Sequence, residues 1–263
     1  MLNVFSESKP IIGMVNLKTT LGYRGFTSVK EILDAALIDA EELERGGVDG
    51  ILVENSNDFP HDPVIGPETV ATMAIIVHEI VSRTSLPVGV NIIMEPGDTS
   101  VLAVAKAAGA KFVRSISFNE AMVSNFGIYQ GASRGVYRYQ KIIDALDIDV
   151  YADIHVKHSI PLVDRPIEDS AIDAVAGKVD AIIVTGLATG NAPAIEAAQR
   201  VKKVSGNTPV LLGSGITPEN SESLLSVADG AIVGSYFKKD NIYSNQIDSN
   251  RVKQMMDVVR RLR

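Results

Sequence analysis

PVLLGSGITPENSESLLSVADGAIVGSYFKK, residues Pro209–Lys239, holds the pattern from which the fold follows. The apolar run Val210-Leu211-Leu212 stops at Gly213-Ser214-Gly215, and a second run, Ala231-Ile232-Val233, stops at Gly234-Ser235. Between them Thr217-Pro218-Glu219-Asn220 reads as a helix start, with a capping hydroxyl, proline at the first helical position and an acid in the first turn. Two strands joined by a helix, each ending in a glycine–serine turn, leave backbone N–H groups uncovered where glycine lets a ligand come close. In (β/α)8 barrels the loops after the seventh and eighth strands often form a phosphate cup. Gly213, Ser214, Gly215, Gly234 and Ser235 are therefore the expected phosphate-binding residues.

Working outward, six more apolar runs precede these two: Pro10–Val15, Gly50–Glu54, Pro87–Asn91, Phe112–Ser115, Val150–Ile154 and Ala181–Thr185. They are apolar throughout instead of alternating, which means burial on both faces. Stretches with apolar residues three and four apart lie between most of them, such as Val29-Ile32-Leu33-Ala36-Leu37-Ala40-Leu43. Others are Val70–Val81, Val101–Ala108 and Ala194–Val201, with a last helix from a cap at Asp248. Strands alternating with helices imply a parallel sheet covered by helices, either a closed barrel or an open doubly wound sheet. Eight units in 263 residues, with no Gly-x-Gly-x-x-Gly after the first strand, favour one (β/α)8 barrel spanning residues 1–263. The fourth unit is irregular. Ser115–Gly135 reads as an excursion over the mouth, before a helix near Tyr137–Leu146.

Composition narrows the function. With no cysteine there can be no disulfide, thiolate zinc site or cysteine nucleophile, and a reducing compartment fits. A net charge of −7 argues against a nucleic-acid surface. No apolar run approaches the roughly 20 residues of a membrane span, and MLNVFSESKP does not read as a signal peptide. A cytoplasmic homo-oligomer without a cofactor is expected.

Reactive groups in such a barrel come from the C-terminal strand ends. Those ends carry Glu54 and Asn55, Asn91, Arg114, Asp153-Ile154-His155-Val156-Lys157-His158, and Thr185-Gly186. Charges are rarely buried unless paired, so plain core packing does not explain this set, although an ion network closing the barrel top would. Asp153, His155 and Lys157 alternate, and in a continuing strand they would face one way, into the mouth. Asp153, Lys157 and Glu54 are the expected proton-transfer residues; Asn55, Asn91, Arg114, His155, Thr185 and Gly186 would bind substrate. Asp153, His155 and His158 could instead hold a divalent metal, though their spacing matches no strong metal motif.

Several stretches together resemble the BtpA/SgcQ family of barrels. They are KPIIGMV (Lys9–Val15), GVDGILVEN (Gly47–Asn55), PVGVN (Pro87–Asn91), GAKFVR (Gly109–Arg114) and ADIHVKH (Ala152–His158). Val184-Thr185-Gly186 with Thr189-Gly190, Gly213–Gly215 and Val233–Ser235 complete the match. Three strand ends depart from the family pattern. Asn16 stands where histidine is usual, Met94-Glu95-Pro96 where Arg-Asn-Asp is, and Phe118-Asn119-Glu120 where His-Thr-Gly is. The phosphate half keeps the pattern while the other half of the mouth has changed, which points to a changed substrate or lost activity.

The resemblance implies kinship with barrels that isomerise, epimerise or cleave phosphorylated sugars or related metabolites. One member's name implies a role in photosystem I biogenesis, and another member is associated with a sugar-utilisation gene cluster. Two classes of function follow. One is an enzyme acting on a small phosphorylated metabolite by proton transfer or through a Lys157 imine. The other is a non-catalytic assembly or regulatory factor that keeps a phosphate-ligand pocket. Metal-dependent hydrolysis and nucleotide binding rank below these, and the absence of a Walker loop argues against a P-loop NTPase.

Overall fold

Strands that are apolar on both faces must be covered on both, and the fold covers them with helices outside and side chains inside. The computed structural model describes residues 2–61, 65–93 and 99–263. In chain order the first elements are β1 (Ile11–Asn16), α1 (Val29–Gly46), β2 (Gly50–Glu54), α2 (Pro67–Val81), β3 (Val88–Asn91) and α3 (Thr99–Ala108). There follow β4 (Phe112–Ser115), β5 (Met122–Ser124), β6 (Gly127–Tyr129), α4 (Ser133–Ile142), β7 (Asp149–Ile154) and β8 (Ser159–Pro161). The chain ends with α5 (Ile167–Ala176), β9 (Ala181–Val184), α6 (Ile195–Val204), β10 (Val210–Leu212), α7 (Pro218–Leu225), β11 (Gly230–Val233) and α8 (Ser249–Val259).

Eight strands close into a parallel barrel in the order β1-β11-β10-β9-β7-β4-β3-β2. Because β1 pairs with both β2 and β11, the open-sheet alternative is excluded. The apolar residues divide into two bodies. A large one lies between strands and helices, and a smaller one fills the barrel. In the barrel Phe112 stacks on Tyr151 at 4.8 Å, and Phe5 packs against Phe112 at 5.9 Å, plugging the N-terminal end. Each such aromatic contributes roughly 1.5–3 kcal/mol by leaving water. Two residues beyond Leu52, Phe112 and Tyr151 of that interior, on the same inward face, come Glu54, Arg114 and Asp153.

Helix starts follow the sequence signals. Thr217 caps α7, its N–H donating to Asn220 Oδ1 at 2.9 Å, and Pro218 takes the first turn. Asp248 caps α8 by accepting from Asn250 N. One buried ion pair ties the ends of the chain together. Lys238 Nζ donates to Asp39 Oδ2 on α1 at 2.7 Å, and Asp39 Oδ1 accepts from Ile247 N at 2.9 Å.

The fourth unit differs from expectation in two ways. Its excursion is an ordered hairpin, β5–β6, which pairs with β8 as a three-stranded antiparallel sheet. Met122 and Tyr129 oppose each other on its buried face, while Ile128 and Ile160 flank Val123 on the outer one. In addition, α4 starts at Ser133, four residues before the expected Tyr137. The carbonyls of Ser117 and Phe118 bind the amides of Ala132 and Ser133 and set its start. Met94-Glu95-Pro96 lies outside the described residues. Among the described residues no helix is long and apolar enough to cross a membrane.

At the N-terminal end of the barrel, burial and the nearby Asp180 push the Asp149 carboxyl up to about 6. A folded-state pKa above the unfolded one gives stability that is complete below about pH 4 and is lost as pH rises to about 6. Asp149→Asn should therefore match the wild type near pH 4 and exceed it at pH 7 by about 1 kcal/mol, after discounting for partial solvent exposure. Paired thermal melts from pH 4 to 7 check this. A melting-temperature difference that stays flat across that range rules it out.

Candidate active site

The C-terminal strand ends surround a cavity of ≈ 560 Å³. Its floor carries Asn16, Glu54, Asn91 and Arg114, with Lys157 at the side. Ile93, Ile116, Phe126, Tyr129 and Val156 form an apolar wall under the hairpin. Gly213–Gly215, Gly234 and Ser235 form the rim at β10 and β11.

Arg114 organises the floor. Its Nε and Nη2 donate to the two carboxylate oxygens of Asp153 at 2.7 and 2.9 Å, and Nη1 stands 3.9 Å from Glu54 Oε2. Asn91 Nδ2 donates to Glu54 Oε2 at 2.5 Å. Burial alone would lower the pKa of the guanidinium, but Asp153 and then Glu54 outweigh it and hold it above its ordinary value. The Asp153 side chain has no exposed surface and does not line the cavity. It is spent on Arg114, which corrects its expected place beside Lys157 as a proton-transfer group. Glu54 does reach the cavity.

The alternation of Asp153, His155 and Lys157 is also broken. β7 ends at Ile154, and His155 takes the left-handed conformation at φ 47°. Its ring turns outward to Ser170 Oγ on α5 at 3.1 Å, while Glu120 accepts from the His155 N–H at 3.1 Å and from the Ser170 hydroxyl at 2.8 Å. His155 therefore does not line the cavity, contrary to expectation. Glu120 is the anchor of this cluster. His158 turns to Thr189, at 3.0 Å. Asp153, His155 and His158 thus diverge to three different partners, and the metal alternative built on them fails.

Lys157 remains in the cavity wall. Its backbone N–H donates to Thr185 Oγ1 at 3.0 Å, and its ammonium has no hydrogen-bond or ion-pair partner among the described residues. Burial first, and then the Arg114 charge, push the amine below its ordinary pKa, against the pull of Glu54 and Asp153.

Three expected substrate ligands prove to be joints between loops. Asn55 is buried, donating to Asp58 at 3.0 Å and accepting from Ile93 N at 2.9 Å. Thr185 holds the Lys157 backbone, and the Gly186 N–H donates to Ser214 Oγ at 3.0 Å. None of the three lines the cavity. On the rim, the Gly213 amide is already bonded to Val184 O, and the Ser214 hydroxyl donates to Asn191 O at 2.7 Å. The amides of Ser214, Gly215, Gly234 and Ser235 have no acceptor among the described residues. Gly215 has φ +68°, and a Cβ there would sit 2.0 Å from Ala192 N, so only glycine fits.

Sequence reading missed Ser56, Phe126, Tyr129 and Tyr243 in the wall. Burial and the Glu54 carboxylate raise the pKa of the Tyr243 phenol. The alternation Met122–Tyr129 around Asn125-Phe126-Gly127 was a hairpin signal. Nothing local marks Tyr243.

The model of the BtpA family matches residues 7–261. An uncharacterized protein of Archaeoglobus fulgidus is 35% identical over 248 residues, covering 94% of this chain and 97% of the relative. Putative sgc region protein SgcQ of Escherichia coli is 33% identical, covering 99% of this chain and 97% of its own. Photosystem I biogenesis protein BtpA of Synechocystis is 31% identical, with 98% and 91% coverage. Among solved structures, thiamine phosphate pyrophosphorylase from Pyrococcus furiosus superposes with TM-score 0.61 at 13% identity, covering 96% of both chains. N-(5'-phosphoribosyl)anthranilate isomerase from the same organism does so with TM-score 0.59 at 15% identity, covering 96% of this chain and 99% of its own. At such identities the structural likeness shows the barrel alone.

Removing one partner of the Arg114–Asp153 pair strands a buried charge. Asp153→Ala should therefore cost about 3–5 kcal/mol in urea unfolding. Lys157→Met removes a half-buried charge that has no partner among the described residues and should stay within about 1 kcal/mol of wild type, or exceed it. The reverse ranking would show that Lys157, not Arg114, is the paired cation.

Proposed function

The chain belongs to the BtpA family, and from that premise we propose that it is an enzyme making or breaking a carbon–carbon bond in a small phosphorylated carbonyl compound through an imine on Lys157. The observation that carries this reading is the lysine itself, an amine in the cavity wall with no partner among the described residues, whose pKa is depressed by burial and Arg114. A nucleophilic lysine has to be neutral, and desolvation beside another cation raises its neutral fraction. The amine adds to the substrate carbonyl carbon. The carbonyl oxygen leaves as water, taking one proton from the amine and one that Glu54 has first drawn from the Lys157 ammonium. The resulting iminium accepts the electron pair of the neighbouring carbon–carbon bond, while the hydroxyl on the departing carbon passes its proton to Glu54 and that fragment leaves as a carbonyl compound. Glu54, oriented by Asn91, then returns or removes protons. If a proton instead of a carbon leaves that neighbouring position, the same site is an isomerase or epimerase. Arg114, held rigid by Asp153, stabilises negative charge that develops on the substrate. Asp153 is thus a positioning residue.

The free amides of Ser214, Gly215, Gly234 and Ser235 support a phosphate at the rim. Names of the fold neighbours, a thiamine phosphate pyrophosphorylase and a phosphoribosyl anthranilate isomerase, are in keeping with this. A second reading, a non-catalytic assembly factor, has one specific support. The outer face of the hairpin sheet exposes Ile128 and Ile160, with Leu162 and Val163 beyond β8, and one relative is named for photosystem I biogenesis.

Borohydride reduction in the presence of a panel of phosphorylated aldehydes and ketones tests the imine. One panel member should add its own mass less one oxygen atom, at Lys157, and the adduct should be absent in Lys157→Met. No adduct with any panel member, or an equal one in the variant, would defeat the reading and leave the assembly role. The phosphate cup has its own test. A Cβ at Gly234 meets only Met14, at 3.4 Å, so there is room for an alanine. Gly234→Ala should keep its melting temperature within a few degrees and weaken binding of phosphorylated ligands by about 10-fold or more. Unchanged affinity would remove the phosphate from that rim.

A further inference from the structure

The apolar wall has no use in holding a phosphorylated open-chain sugar. Around the closed barrel, β10 and β11, which carry the free amides, stand opposite β3 and β4. The loops after β3 and β4 bring Ile93, Ile116, Phe126 and Tyr129 to the cavity. His61, from the loop after β2, meets Phe126 edge to face at 5.2 Å, and Phe59 meets Phe126 at 5.7 Å. An aromatic cluster therefore lies across the mouth from the amides, with the floor of Glu54, Asn91 and Arg114 between them.

This wall is not merely greasy. Asn91 is buried, and its Nδ2 is committed to Glu54, so its Oδ1 is fixed as an acceptor, yet no described group donates to it. The His61 ring lines the same cavity, and burial holds its pKa down. A buried acceptor is costly to leave unpaired, and Asn91 lines the cavity. An apolar wall with a few convergent polar atoms is the usual make-up of a site for a flat organic ring.

We infer that the substrate is a phosphorylated carbonyl compound whose other end is an aromatic or heteroaromatic ring with N–H or O–H donors on its edge. The ring lies against Phe126 and Tyr129, a hydroxylated spacer crosses Glu54 and Asn91, and the phosphate reaches the amides of Ser214, Gly215, Gly234 and Ser235. This assignment rests on the phosphate reading of the rim, but the two can fail separately.

Calorimetric titration with unreactive probes separates them. The ring-bearing probes are adenosine 5′-monophosphate, uridine 5′-monophosphate and nicotinamide mononucleotide. Ribitol 5-phosphate has the phosphate and polyol without the ring, and adenosine and uridine have the ring without the phosphate. At least one nucleotide should bind about 10-fold or more tighter than ribitol 5-phosphate. Phe126→Ala should erase that advantage and leave ribitol 5-phosphate binding unchanged, with Phe126→Leu between the two. Nucleotides no tighter than ribitol 5-phosphate would overturn the ring site and leave the phosphate rim standing. Equal losses for both kinds of probe in Phe126→Ala would do the same. Nucleosides binding as tightly as nucleotides, with no affinity for ribitol 5-phosphate, would keep the ring and overturn the phosphate rim. No binding by any probe overturns both.

Discussion

Two opposite charges buried against each other at the top of the barrel set the terms for everything above them. The barrel interior below is filled by Phe112, Tyr151 and their neighbours, so no water can solvate Asp153. A carboxylate in such a place must be paired, and the planar guanidinium of Arg114 pairs with it through two parallel hydrogen bonds. That geometry fixes Arg114 in one orientation and brings its third nitrogen toward Glu54. It also leaves a fixed positive charge beside Lys157. The lysine then has no partner among the described residues, because the carboxylate nearest to it in sequence is already taken. After burial, the Arg114 charge held by that pair is the second cause of the lowered pKa of Lys157.

The rest of the mouth divides into a rigid rim and a decorated wall. On the rim, the Ser214 hydroxyl bridges Gly186 N and Asn191 O, welding the loops after β9 and β10. The wall depends on the long fourth unit. There Glu120 gathers the His155 backbone and the Ser170 hydroxyl, and Phe118 packs edge to face on Tyr137 at 6.0 Å. These contacts seat the hairpin that carries Phe126 and Tyr129 over the cavity. The loops after β3 and β4 thus carry the apolar wall, across the mouth from the amide rim of β10 and β11.

Apolar runs between glycine stops, and helical stretches with caps such as Thr217 and Asp248, made the barrel readable residue by residue. Those signals are local. A strand buried on both faces has to be apolar throughout, and a helix has to begin with groups that satisfy its free amides. The same locality made Glu54, Asn91, Arg114 and Lys157 legible as mouth residues, since each sits at or just beyond the end of such a run. It failed at His155, where extrapolating a strand by one residue put the ring on the wrong side. Strand termination there depends on the Glu120 carboxylate, which is distant in sequence.

By itself, then, the sequence determined the barrel, its strand ends and the amide-rich turns, because these follow from the burial and backbone needs of neighbouring residues. Only the tertiary structure decided which carboxylate is consumed by Arg114, that Asn55, Thr185 and Ser214 tie loops together, and that Phe126 and Tyr243 reach the cavity. Pairing and pocket lining depend on which side chains meet across the barrel from separate elements. Hydrogen bonds and ion pairs are satisfied over a few ångströms of space, whatever the number of residues between their partners.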